Sequence, residues 1–167
     1  NDMEYREFKP SATLAPYIDC FWTHEGVLPE NQTSRCVPSG NTDLIIGATD
    51  GEEWLQQGEN WERIPRVFFT GMWTAPAVIK STRRIGWFGI RFKPEIFVQL
   101  FRQPLREMEN VTIDARAIMG KRVETLIGQI AEKQDIQSRM AAVEVFLGGE
   151  LSRRLPEDTY FTQAIRL

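Results

Sequence analysis

The feature that most constrains this chain is a change of hydrophobic period at Pro94. Ahead of it, aromatic and β-branched residues come in short runs broken by Gly, Pro, Asn and Asp, the pattern of strands and turns. Behind it, apolar residues recur at three- and four-residue spacing, which is helical. Strands first and helices after predict an α+β fold. At 167 residues the chain is long enough to bury a substantial core.

In the first half, residues 17–23 (YIDCFWT), 43–48 (DLIIGA), 67–72 (VFFTGM), 78–82 and 86–92 (GWFGIRF) read as strands. Residues 29–34 read as a polar loop, and residues 38–41 (PSGN) as a turn, because Pro presets φ while Gly and Asn accept positive φ. The carboxylate-rich stretch 52–62 reads as a solvated loop anchored by Trp54 and Trp61. Gly71, Gly86 and Gly89 inside the runs predict bulges or close backbone approach. Short strands with frequent turns favour a sandwich or a small barrel.

In the second half, Pro94 suits the first position of a helix, where its missing N–H costs nothing. Ile96, Phe97, Leu100 and Phe101 give that helix one apolar face, and Pro104 ends it or opens another. Asp114 is placed to cap a helix over 114–134 with the face Met119, Val123, Leu126, Ile127, Ile130. A last long helix, 136–155, carries Ile136, Met140, Val143, Leu147 and Leu151 on one stripe. Gly120, Gly128, Gly148 and Gly149 weaken these helices and suggest close helix packing. After the break at Pro156, Phe161, Ala164 and Ile165 open a further amphipathic helix, which predicts that a following domain is cut off at Leu167.

Composition narrows the chemistry. A net charge of −3 and a pI near 5.3 argue against these residues gripping phosphates. Cys20 and Cys36 form no CxxC pair and read as reduced thiols of a cytoplasmic protein. With one histidine, His24, a Cys/His zinc site lacks ligands, so no metal is expected. There is no GxSxG elbow and no glycine-rich phosphate loop. No catalytic residue and no cofactor are therefore expected. No apolar run reaches the ~20 residues of a membrane helix, and residues 1–10 do not resemble a signal peptide.

A binding role fits better. Strand alternation over 86–92 puts Trp87 and Arg91 on one face, with Phe88, Ile90 and Phe92 on the other. An indole beside a guanidinium suits an anionic or planar ligand. Trp22 and His24 likewise share a face opposite Phe21 and Thr23, and Trp73 follows the bend at Thr70 and Gly71. Trp22, His24, Trp73, Trp87 and Arg91 are the expected ligand-binding set. Each also has a plain alternative, since buried tryptophans mostly fill cores and strand arginines mostly face water.

Several motifs in order resemble AraC-family bacterial transcription regulators. Pro16-Tyr17 through Phe21-Trp22 is similar to an early strand of that family, and Val37-Pro38-Ser39-Gly40 with Asp43 to Ile46 to its turn and buried strand. Phe69-Thr70-Gly71 with Thr74 and Pro76, and Gly89 through Pro94, resemble the segments that follow, and Leu105 to Met108 a short helix after them. Glu95 departs from the glycine common after the junction proline. The resemblance implies a cupin-like β-barrel (1–93), a helical subdomain (94–155), and a linker with the start of a helix-turn-helix DNA-binding domain (156–167). It implies a regulatory domain that senses a small-molecule effector, mediates dimerisation, or does both, with a homodimer partner and DNA contacted only through the following domain. Residues 114–134 and 136–155 would form the dimer surface or dock the DNA-binding domain. The alternatives are a stand-alone binding or enzymatic barrel, and a domain that only dimerises, its interior filled by Trp22, Phe69 and Trp87.

Overall fold

A computed structural model of the chain describes residues 3–29, 32–49, 51–81 and 84–154. The helix expected from Phe161 onward lies outside the described residues. Within them the architecture is α+β, with every strand pairing antiparallel.

The larger sheet has six strands. They are β1 (Glu4–Phe8), β2 (Ile18–Val27), β4 (Thr42–Gly47), β7 (Val67–Thr70), β9 (Arg84–Phe92) and β10 (Thr112–Asp114), in the order β1-β2-β9-β4-β7-β10. The smaller sheet runs β3 (Thr33–Cys36), β8 (Ala77–Ser81), β5 (Glu53–Gln57), β6 (Asn60–Arg63). No strand pairing joins the two sheets among the described residues.

The larger sheet has two working faces. Phe21, Leu44, Ile46, Phe69, Phe88, Ile90 and Phe92 point to one side and share a core with the helices. Trp22, Ile45, Phe68, Ile85 and Trp87 point to the other and pack with Leu55 and Ile79 of the smaller sheet. This is the period-two alternation of a strand buried on both sides. In β2 the phase is reset by an irregularity between Ile18 and Cys20, so that Ile18 and Phe21 both reach the helical side.

α1 (Pro94–Phe101) has Pro at its start and buries Phe97, Leu100 and Phe101. A short 3-10 helix (Leu105–Met108) follows Pro104. The single helix expected over 114–134 is two, α2 (Ala115–Met119) and α3 (Arg122–Glu132). Asp114 caps α2 by accepting from the Arg116 N–H, and Gly120 ends it at φ 68°, a left-handed value glycine adopts without strain. α4 (Ile136–Arg154) buries Val143, Leu147 and Leu151 of the expected stripe. The helical glycines do not mark close packing: a Cβ at Gly128 or Gly148 would meet nothing within 4 Å.

The end of α4 is pinned by charge. Glu150 is fully buried and accepts from Arg122, Arg153 and Arg154 at 2.9, 2.9 and 2.8 Å. Arg154 also donates to the Leu100 and Ile118 carbonyls, tying α4 to α1 and α2. Burial alone would raise the Glu150 pKa, but the guanidiniums of Arg154 and Arg122 outweigh it and hold the carboxyl below its usual range.

The sequence reading of the strands needs correction at four places. The polar loop 29–34 becomes strand from Thr33. The stretch read as a solvated loop forms the β5–β6 hairpin, and its Glu53 is buried at 8% exposure. β1 and β10 were not expected, because short runs of charged or mixed residues carry no alternation signal.

Candidate functional site

Between the sheets lies a half-open cavity of ≈ 570 Å³. That volume falls within the ~300–1,000 Å³ range of small-molecule sites. Trp22, His24, Trp73, Trp87 and Arg91 all line it. Phe69 does not, since it faces the helical core.

Strand register sorts the lining into rows. Cys20, Arg91, Asp43, Thr70 and Thr112 are successive partners across β2, β9, β4, β7 and β10, a polar row at one end. The next row is Trp22, Gly89, Ile45 and Phe68. Beyond it His24 pairs with Trp87, at an edge-on ring contact of 6.1 Å. The rows stand ~6.8 Å apart, two residues along a strand. The cavity is thus polar at one end and aromatic at the other.

Gly89 makes the middle row possible. The Trp22 indole lies directly over it, and a Cβ there would overlap the ring. Trp22 is 5% exposed, and Tyr5 covers it at a centroid distance of 5.9 Å. Its buried N–H completes no hydrogen bond, although it lies close enough to Asp43 to favour the charged carboxylate. Trp73 is held by its N–H donating to Thr70 Oγ1 at 2.6 Å. Trp87 donates its N–H to Glu53 of β5, a side-chain tie between the sheets.

Arg91 is heavily engaged. Its Nε donates to Asp43 Oδ1 at 3.3 Å, and its terminal nitrogens reach Glu7 at 3.3 Å, the Tyr5 hydroxyl at 3.3 Å and Cys20 Sγ at 3.7 Å. Asp43 and Glu7 offset its positive charge. Burial pushes the Asp43 carboxyl up to about 6, with Arg91 opposing the rise. Burial likewise raises Glu53 to about 7 and lowers His24, which favours a neutral imidazole. The Cys20 and Cys36 thiols are pushed up to about 11 by burial.

Sequence reasoning missed two site residues. Asp43 was read only as the start of a buried strand, and Tyr5 lay in a segment with no strand signal. The available clue was Asp43 heading an apolar run, where a carboxylate is costly unless it has a partner. Among the described residues, no group of three or more His, Cys, Asp or Glu side chains is placed to hold a metal ion, and no helix is long and apolar enough to cross a membrane.

Residues 6–114 match a family described as "Domain of unknown function (DUF6597)". That span takes in the strands of both sheets from Arg6 on, and with them most of the cavity. No curated protein matches the chain.

Proposed function

We propose, from the premise that the chain belongs to the DUF6597 family, that it is the small-molecule-sensing domain of an AraC-type transcription regulator. The family description carries no activity, so the reading stands on the site. The observation that carries it is the ≈ 570 Å³ cavity that the two sheets leave open between Trp22, Trp73, Trp87 and Arg91. We read the two sheets as the halves of a cupin-like barrel. Their sharing of one cavity supports this, as does the Trp87–Glu53 tie between them.

In this reading the effector enters the cavity, and the exposed sides of α3 and α4 form the homodimer surface or dock against DNA-binding helices beyond Leu167. The protein works in the cytoplasm and reaches DNA only through that following domain. An effector changes promoter occupancy only insofar as it binds two arrangements of the domains with different affinity. The domain binds and does not catalyse. The enzymatic alternative has one observation in its favour, a cavity carboxyl at Asp43 poised near pH 6.

Two experiments separate the parts of the proposal. The coding sequence after Leu167 should encode a pair of helix-turn-helix motifs, and a stop codon directly after it would sink the regulator reading. A thermal-shift screen of flat, apolar small molecules should give hits that Ile45→Trp, which fills the cavity floor, abolishes. Hits that persist in that variant would refute the cavity as the sensing site.

A further inference from the structure

The geometry points to a ligand class: we propose that the cavity takes a flat apolar molecule bearing one ammonium group, and that Asp43 holds the ammonium. The proposal rests on reading the cavity as a ligand site and names what that site selects.

An indole beside a guanidinium first suggests an anion, but the arginine is already engaged. Arg91 donates to Asp43, Glu7, the Tyr5 hydroxyl and Cys20 Sγ. An incoming carboxylate would have to displace those acceptors, and it would face the charges of Asp43 and Glu7 around the same guanidinium. Arg35 offers no substitute. It is among the lining residues, but it is exposed on β3, where its neighbours Ser34 and Cys36 take the more buried pleat positions opposite Ile79 and Ala77.

Asp43 is ion-paired to the Arg91 guanidinium, which it shares with Glu7, so two carboxylates stand against one cation. Asp43 is the only carboxylate among the described lining residues and is 6% exposed. Among the described residues its one complete side-chain hydrogen bond is from Arg91 Nε, at 3.3 Å, with the Trp22 N–H close by. An ionised carboxylate accepts about four hydrogen bonds, and a buried one left short is costly. A ligand N–H donor would supply what the fold withholds. The surroundings favour a cation over a neutral donor. Trp22 lies beside the Asp43 carboxylate and Trp73 is held on Thr70, the strand partner of Asp43, and indole rings attract ammonium groups. His24, its pKa lowered by burial, adds no opposing charge when neutral. One residue pair along the strands, Ile45 and Phe68 offer a flat apolar floor to the body of such a molecule.

The test is calorimetry on the 167-residue chain with three probes that share one ring system: naphthylethylamine, naphthylethanol and naphthylacetate. The amine is expected to bind at least about tenfold more tightly than the alcohol, and the acid more weakly than the alcohol. Asp43→Asn should lower the affinity for the amine at least about tenfold and so erase its advantage over the alcohol. Should that variant fail to fold, the order of the three probes on the unaltered chain decides alone. Equal affinity for amine and alcohol, or tightest binding of the acid, overturns the ammonium assignment while leaving the cavity a ligand site. Binding of none of the three overturns both readings. Amine binding that survives Ile45→Trp lies elsewhere and also overturns the assignment.

Discussion

Gly89→Ala puts the floor of the cavity to a direct test. A Cβ at position 89 falls well inside the 3.0 Å that real Cβ contacts respect, and the atoms it meets belong to the Trp22 ring. The ring would have to retreat by at least about an ångström to reach ordinary ~3.5–4.0 Å contact. It has little room, since Trp22 is 5% exposed and Tyr5 lies against it. Overpacking of this kind costs roughly 1–3 kcal/mol. Removing a strand glycine returns ~0.5–1 kcal/mol of backbone entropy. The net expectation is a loss of about 1–2 kcal/mol, or a fall in Tm of roughly 2–8 °C for a chain of this length. Thermal unfolding followed by circular dichroism measures it, and tryptophan emission should shift as Trp22 moves. Trp22→Leu in the same chain removes the clash, so the double variant should lose less than the sum of the singles. A Gly89→Ala protein that melts like the parent, or strict additivity in the double variant, would refute the placement of Trp22 over Gly89.

Three further outcomes follow from the buried charges and thiols. Glu150→Gln leaves three guanidiniums without their carboxylate. Because Arg122 and Arg153 are about half exposed and can recover water, the cost should be roughly 1–3 kcal/mol rather than the full penalty of a buried pair, and denaturant melts showing no loss would contradict the clamp. Glu53 holds its proton to about pH 7 when folded, against an ordinary 4.5. The folded state therefore binds more protons across that window, and stability falls as pH rises through it. Asp43, raised to about 6, adds a parallel slope. Glu53→Gln keeps an acceptor for Trp87 and should reduce the slope, with a gain on the order of 2 kcal/mol at mildly alkaline pH; identical urea midpoints for variant and parent at both ends of the window would count against it. With both thiols pushed to about 11, iodoacetamide should label the folded protein near neutral pH at least roughly a hundredfold more slowly than the urea-unfolded chain, and equal rates would place the cysteines at the surface.

How much could be read without coordinates depended on how strongly each segment alternates. The run 86–92 has large apolar side chains at every second position, so the division of Trp87 and Arg91 from Phe88, Ile90 and Phe92 was visible directly. Trp22 and His24 were legible for the same reason, although Ile18 on the same strand follows a different phase because of the irregularity beside Cys20. The β5–β6 hairpin was hidden by its carboxylates: Glu53 looks like solvent-facing charge until Trp87, from the other sheet, is seen to donate to it. β10 is three residues long and forms only because β7 offers it an edge, a long-range circumstance that no local window records. The state of Arg91 was likewise out of reach, because Tyr5 and Glu7, distant in sequence, are what occupy it.

The six-stranded sheet behaves as a party wall one residue thick. Ile90 and Arg91 are neighbours in the chain, yet one belongs to the helical room and the other to the cavity. Neither room can be refurnished privately. A bulkier residue at Phe88 pushes on the peptide that positions Trp87, and a tenant pressing on Ile45 leans on Leu44 and Ile46 behind it. Substitutions that retune the cavity should therefore be sought in pairs across the wall, and screens confined to the lining will overlook half of them.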